Sequence, residues 1–452
     1  MNIAGARSSL TVVGDAKVEL LSSEVAHVMG QRIVAAFAQR GIQPRSFVVF
    51  QSANSAHLLA GIYGALLGGY APVVISEKLS DREVNDMLED LPHSLVVSAE
   101  MLEEFAKSNQ PDSTGLSQRF CSRPVHFTSG TSGKPKGVWS GWLTSDDADA
   151  LASEERDAWH LAKADVHLVN GPLSHSAPLR FALHTLLNGG MVLVPPRFDV
   201  ENVIAIIESG LATTTFMVPV HLQRILDTRP PKRSSMRLVA HAGSSCADRV
   251  RLAAIEAFGV DALVEFYGST EGQFTLCRAA EWREHRGTVG RARPGRELNI
   301  DKGGRIWCRV PPYARFEYWG DPEKSSAAWR GDWLTVGDVG RLDELGYLYL
   351  EGRRTDLIIS GGVNVYPAEI ERVLSELPSI VSVVAFGIDD PQWGQRVCVA
   401  YVGNVSDGEV LQYCHDNLAP YKHPKSIVKV TELPRTHTGK INRSALANLV
   451  RD

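Results

Sequence analysis

The chain has 452 residues, 44% of them apolar and 22% charged, which is the balance of a globular protein with more than one core. A net charge of −5, with no basic run and no arginine–aromatic stripe, excludes a nucleic-acid binder. Six cysteines, Cys121, Cys246, Cys277, Cys308, Cys398 and Cys414, are scattered without a C-x-x-C pair, which reads as reduced, cytoplasmic and metal-free, and residues 1–20 lack the apolar core of a signal peptide.

From residue 24 to 350, helical periodicities alternate with short apolar runs, the pattern of a layered α/β fold with largely parallel strands. It predicts a helix over 31–39 ending at Arg40-Gly41 and then a strand over 46–50. The apolar stretch from His57 to Ile75 approaches a membrane span in length. Gly68, Gly69 and Pro72 interrupt it, so a buried helix followed by a buried strand is predicted, with no membrane insertion. Next comes the segment from His126 to Gly137, with four hydroxyls (Thr128, Ser129, Thr131, Ser132), three glycines and the lysines Lys134 and Lys136. Glycines let backbone amides curl around phosphate oxygens while hydroxyls and lysines add donors, so the loop is suited to a polyphosphate. It is not the common nucleotide loop, because its glycines are too closely spaced and Pro135 stands where Ser or Thr would bind magnesium.

Further along stand Pro172-Leu173-Ser174-His175 and a strand over 191–194 closed by Pro195-Pro196. A strand over 263–266 then delivers Tyr267-Gly268-Ser269-Thr270-Glu271-Gly272 to its carboxyl end, where open α/β sheets place their ligands. Gly287-Thr288-Val289-Gly290-Arg291 with Pro294-Gly295, Thr335-Val336-Gly337-Asp338 and Gly352-Arg353 follow. Beyond Arg353 the texture becomes that of a compact α+β unit. Pro367 opens a helix with Ile370, Val373, Leu374 and Leu377 on one face, and strands are predicted over 381–387 and 397–402.

Taken in order, the T-S-G-T-S-G-x-P-K-G segment, P-L-S-H, Y-G-S-T-E-G, G-T-V-G-R, V-G-D, S-G-G-V-N-V-Y-P-A-E-I-E and P-R-T-H-T-G-K-I resemble the acyl-adenylate-forming superfamily of acyl-CoA synthetases, peptide-synthetase adenylation domains and luciferases. The resemblance covers nearly the whole chain, which is short for the family through a trimmed start and a clipped segment between Val97 and Cys121. It implies a large layered N-terminal α/β domain, residues 1–352, and a small mobile C-terminal α+β domain, residues 353–452, which carries the catalytic lysine. It implies ATP-dependent conversion of a carboxylic acid to an acyl-AMP and transfer of the acyl group to a thiol, CoA first. The alternatives are a stand-alone ligase loading the phosphopantetheine of an acyl carrier protein and an inactive ligand-binding homologue.

The resemblance also implies residue roles. Thr128, Ser129, Gly130, Thr131, Ser132 and Lys136 hold the phosphates, Glu271 binds Mg2+, and Thr270 reaches the α-phosphate. Tyr267 with Gly268 faces adenine, Asp338 and Arg353 hold the ribose, Lys440 bridges carboxylate and α-phosphate, and Gly362 lines the thiol channel. His175 gates an acyl pocket formed with Ser176, Ala242, Gly243 and Ser244. That region contains no aspartate to pair with an ammonium group, which points to an aryl or aliphatic acid and not an α-amino acid. The pocket lining is expected from His175 to Arg180, Phe216 to Pro219 and Ala242 to Ser245, and Arg180 reads as a rim salt bridge before it reads as the partner of a second carboxylate. Thr355 stands where the family's hinge residue is usually Asp or Lys, which leaves the pivot chemistry open.

Overall fold

The computed structural model describes residues 9–13, 16–108, 115–128, 136–353, 356–360, 363–435 and 441–450. Its first layer is a parallel sheet with Phe47–Gln51 between Ala71–Ile75 and His93–Val97. A bridge from Val73 to Val125 leads from this sheet to the antiparallel set His126–Thr128, Lys136–Trp139 and Glu317–Tyr318. The stretch beginning at His57 resolves as expected into a helix, Ala56–Leu67, and a strand, Ala71–Ile75, both buried. Among the described residues no helix is long and apolar enough to cross a membrane.

The second layer is a nine-stranded sheet whose centre is parallel, in the order Met191–Val194, Val166–Val169, Thr214–Met217, Leu238–His241 and Leu263–Glu265. Helices Ser23–Gln39, Ala56–Leu67 and Ser176–Leu187 lie between the two layers. They bury one continuous core with Val48, Phe50 and Val74 on one side and Val169, Val192 and Val194 on the other. The first helix is longer than the predicted 31–39. Ser22 caps it by accepting the Val25 amide at 3.3 Å, and its early turns bury only Ala26, Met29 and Gly30 among polar neighbours, a weak periodic signal.

The expectation of largely parallel strands holds to Glu265 and fails after it. From Thr275 onward the described strands of this part, including the hairpin of Asp338–Leu342 with Leu348–Arg353, pair antiparallel. The hairpins Glu297–Ile300 with Ile306–Arg309 and Asp338–Leu342 with Leu348–Arg353 have short connections, enough for a hairpin and too short for a helical crossover.

Residues 358–450 form a separate five-stranded sheet with helices Pro367–Ser375, Asp407–Asn417 and Arg443–Leu449. The helix at Pro367 starts where predicted and buries Ile370, Val373 and Leu374. The two predicted strands are the apolar middles of a longer hairpin, Ile380–Asp390 with Gly394–Gly403. Its tip carries Asp389, Asp390, Gln395 and Arg396, and such exposed polar ends leave no alternation to read.

Candidate active site

The turn after Leu263–Glu265 is held by its own backbone. The Ser269 amide donates to the Gly272 carbonyl at 2.8 Å, and the Phe274 amide donates to the Tyr267 carbonyl at 2.9 Å. Gly268 pairs with Gln273 across this turn, and a Cβ at Gly268 would sit 2.4 Å from the Gly272 oxygen. Only glycine fits, so the Y-G-S-T-E-G spacing is first a packing requirement. The same holds for Gly290, whose φ is +93° and whose Cβ would meet the Leu276 oxygen at 1.9 Å.

Two carboxylates converge near this turn. The Tyr267 hydroxyl donates to Asp338 Oδ2 at 2.7 Å, with both side chains buried. Asp338 arrives after the turn at Gly337, whose amide donates to Thr335 Oγ1 at 3.2 Å, and it lies directly across the hairpin from Arg353. Residues predicted to serve one nucleotide from three motifs are therefore neighbours, although the Arg353 side chain lies outside the described residues. The Tyr318 hydroxyl donates to Glu271 Oε1 at 2.8 Å. Among the described residues no group of three or more His, Cys, Asp or Glu could hold a metal ion. A metal at Glu271 would thus rest on one carboxylate and on substrate oxygens, the mode that suits Mg2+.

The hydroxyl-rich loop joins two paired strands, with Thr128 directly opposite Lys136. Ser129, Gly130, Thr131 and Ser132 lie outside the described residues, as do Gly362, Thr355 and Lys440. Lys136 Nζ pairs with Asp321 Oδ2 at 3.5 Å. A hydrogen bond from the Lys324 amide, followed by the charge of Lys136, holds the Asp321 carboxyl below the usual range. Asp321 caps the helix Pro322–Ala327, and no sequence motif announced it.

His175 is the N-cap of helix Ser176–Leu187. The carbonyl of Ser174 beside it lies 3.3 Å from His126 Nδ1, so the strand that leads into the loop touches the gate segment. Burial pushes the His126 ring down to about 4, neutral at pH 7. Ala242, Gly243 and Ser244 follow the strand Leu238–His241. Gly243, at φ +98°, approaches Val218 so closely that a Cβ there would lie 3.5 Å from Val218 Cγ1.

A cleft opens beneath the turn and runs to the helix that carries Ser176. Ser269, Thr270, Glu271, Gly272 and Gln273 line one end, and of the expected acyl-pocket segments only the one from His175 to Arg180 lines it, through Ser176, Leu179 and Arg180. The rest of the polar lining was missed by sequence reasoning. Arg180 is no rim salt bridge: its guanidinium is mostly buried, with Nε 3.5 Å from Glu155 Oε2. Arg293 Nη2 reaches Glu154 Oε1 at 2.9 Å and Glu155 Oε1 at 3.2 Å. Burial raises the Glu155 pKa, but Arg180 and then Arg293 outweigh it and hold the carboxyl well below the carboxylate range. Arg180 and Arg293 come from segments well separated in sequence from Glu154 and Glu155, and no local spacing marks them.

Two α/β layers, with a Y-G-S-T-E-G turn at a strand end whose Tyr267 bonds an aspartate on the neighbouring hairpin, define a nucleotide-dependent enzyme class. The AMP-binding enzyme family model matches residues 124–309 and the AMP-binding enzyme C-terminal domain model matches 369–440. The chain belongs to the AMP-binding enzyme family. It is 30% identical to an indoleacetate–CoA ligase of Aromatoleum aromaticum over 501 aligned positions, covering 99% of this chain and 96% of that one. A 2-succinylbenzoate–CoA ligase of Listeria monocytogenes is 28% identical, with 92% and 91% covered. The o-succinylbenzoate CoA synthetase of Bacillus subtilis, solved with its acyl-adenylate intermediate, superposes with a TM-score of 0.84 at 25% identity over 98% of this chain and 96% of that one.

Proposed function

We propose that the protein is an ATP-dependent acid–thiol ligase that converts an aryl or aliphatic carboxylic acid to its acyl-AMP and passes the acyl group to CoA. The observation that carries the reading is the hydrogen bond from Tyr267 to Asp338, with Glu271 four residues on in the same turn, in a chain similar along its whole length to CoA ligases. In the first half-reaction the carboxylate oxygen attacks the α-phosphorus of ATP and pyrophosphate leaves. In the second, a thiolate attacks the acyl carbon and AMP leaves with the bonding electrons.

Both steps gather negative charge, so fixed donors do the work in place of a covalent nucleophile. Tyr267 offers its ring to adenine while its hydroxyl orients Asp338, which accepts hydrogen bonds from the ribose hydroxyls with Arg353 beside it. Thr270 donates to the α-phosphate. Thr128, Ser129, Gly130, Thr131, Ser132 and Lys136 cradle the departing pyrophosphate, which requires Lys136 to exchange Asp321 for phosphate oxygens. Glu271 would hold Mg2+, an ion that supplies positive charge to the phosphate oxygens. His175 gates the acyl pocket with Ser176, Ala242, Gly243 and Ser244. Lys440 neutralises the repulsion between carboxylate and α-phosphate, and Gly362 lets the pantetheine arm pass.

We place the domain boundary at Gly352 and Arg353, the end of the last strand paired with the large domain. An acyl carrier protein is the alternative acceptor. Six free cysteines fit a cytoplasmic setting. Magnesium-dependent pyrophosphate release across a panel of acids, run with CoA and with a carrier protein in parallel, tests the reading. Release that no acid elicits would overturn it, and acyl transfer to the carrier protein alone would replace CoA as the acceptor.

A further inference from the structure

Four guanidinium groups, those of Arg123, Arg180, Arg293 and Arg296, line the cleft, and the carboxylates that meet them are Glu154 and Glu155. Glu271 lines the cleft as well, so one positive charge is left over. Both carboxylates are already crowded with donors, since Glu155 also accepts from Trp159 Nε1 at 2.9 Å and Glu154 from the Tyr313 hydroxyl. The histidines in the lining do not alter the balance at pH 7, because burial holds both His126 and His184 down to about 4. Burial also pulls Arg180 down to about 10 against the opposing pull of Glu155, a sign that its charge is undercompensated.

Unused donors accompany the surplus charge. Arg180 Nε and Nη2, Arg293 Nε and Nη1, and Arg296 Nε are buried and make no hydrogen bond among the described residues. Arg293 is 1% exposed. Gln273 is 4% exposed, lines the same cleft, and leaves both amide atoms without a partner. Groups of this kind are normally satisfied, and a buried cation without an anion is costly. Leu66, Phe120, Leu151, Leu179 and Leu183 complete the lining, so an apolar wall runs beside the cationic floor.

We infer that this floor receives a second carboxylate of the acyl substrate, so that the acid activated is a dicarboxylic acid with an apolar spacer. The inference rests on the ligase reading above and names its substrate class. One carboxylate lies at the Ser269 to Gln273 end for adenylation, the spacer passes Ser176, which this cleft shares with the acyl pocket proposed above, and follows the leucine wall, and the distal carboxylate takes the free guanidinium edges, whose planar fork matches it. The surplus positive charge also rejects an ammonium group.

The test compares matched acids in pyrophosphate release: hexanoate with hexanedioate, and 4-phenylbutanoate with 4-(2-carboxyphenyl)butanoate. The dicarboxylate of each pair is expected to exceed its partner in kcat/KM by about 30-fold or more, as hydrogen bonds to a charged group imply. Arg180→Gln is expected to reduce that ratio by about tenfold. Monoacids turned over as well as their diacids would overturn the inference and leave the ligase reading intact. A rise in Tm with hexanedioate in the absence of ATP, abolished in Arg180→Gln, together with no pyrophosphate release from any acid, would sink the ligase reading and keep the anion site. If inorganic pyrophosphate raises Tm more than either diacid, and Arg180→Gln raises KM for ATP without changing the acid ratio, the floor belongs to phosphate and the inference fails. Should the variant not fold, the acid pairs on the parent protein decide the matter alone.

Discussion

The two parts of the molecule treat polar groups in opposite ways. Among the described residues every buried polar or charged side chain lies at or before Asp338, with the single exception of Ser360. The large part carries Glu155, Arg251, Glu265 and Arg293 inside, with five histidines, His126, His167, His184, His221 and His241, pushed by burial to about 4 or below. The small part is built around two apolar clusters, and its ion pairs, such as Arg443 with Glu371 at 2.7 Å, are at least partly exposed. A large core can bear the desolvation of preorganised dipoles and charges. A unit of under a hundred residues has little surplus stability for them. The contrast teaches where recognition is stored: fixed donors belong to the large part, and the small part is a stable carrier for the segment that bears Lys440.

The largest expected effect sharpens this division. Lys440→Ala should lower acyl-AMP formation by about a thousandfold or more, the scale of removing a transition-state charge partner, while thioester formation from supplied acyl-AMP stays largely intact. A lysine that acts only on the reacting groups should leave Tm where it was. Comparable loss of both half-reactions in a folded variant would show that the lysine is assigned the wrong role.

Next comes a test of independence. Ile370 is fully buried in the small part, and Ile370→Ala should destabilise that part by about 2–5 kcal/mol. Calorimetry should then show the weaker transition moving down while the stronger one holds its temperature. One merged transition that shifts as a whole would break the comparison, because the two parts would then unfold as one cooperative block.

The smallest effect concerns pH. His167 lies on Val166–Val169 with Nδ1 3.0 Å from Thr214 Oγ1, and burial pushes it down to about 3 despite the nearby Asp165. A folded pKa below the unfolded value of about 6.5 means that the unfolded chain binds the proton first, so stability is full above that pH and falls as pH drops toward the folded value. Between pH 7 and 5 this one ring should cost about 2 kcal/mol, and His167→Gln should flatten the fall of Tm by a corresponding amount. An unchanged slope in the variant would mean that the ring is not held neutral by burial.

Segments whose function is local were legible in the sequence. The strand before Tyr267, the helix at Pro367 and the split of His57 to Ile75 into helix and strand rest on periodicities and breakers within a few residues of each other. The antiparallel region after Thr275 was less legible, because its strands are two to six residues long, too short for an alternation such as Glu297–Ile300 to stand out.

What the sequence determined by itself is the family, the order of its motifs and the turns that close its strands, since glycine conformations and strand ends act over short stretches of chain. What only the tertiary structure decided is the lining of the cleft. Asp321 beside Lys136, Tyr318 beside Glu271, and the arginines 123, 180, 293 and 296 around Glu154 and Glu155 come from separate strands, helices and turns. Each is an ordinary surface-type residue in its own segment. Their meaning arises from being buried together, where the charges that water would screen must instead be balanced by one another or by a ligand.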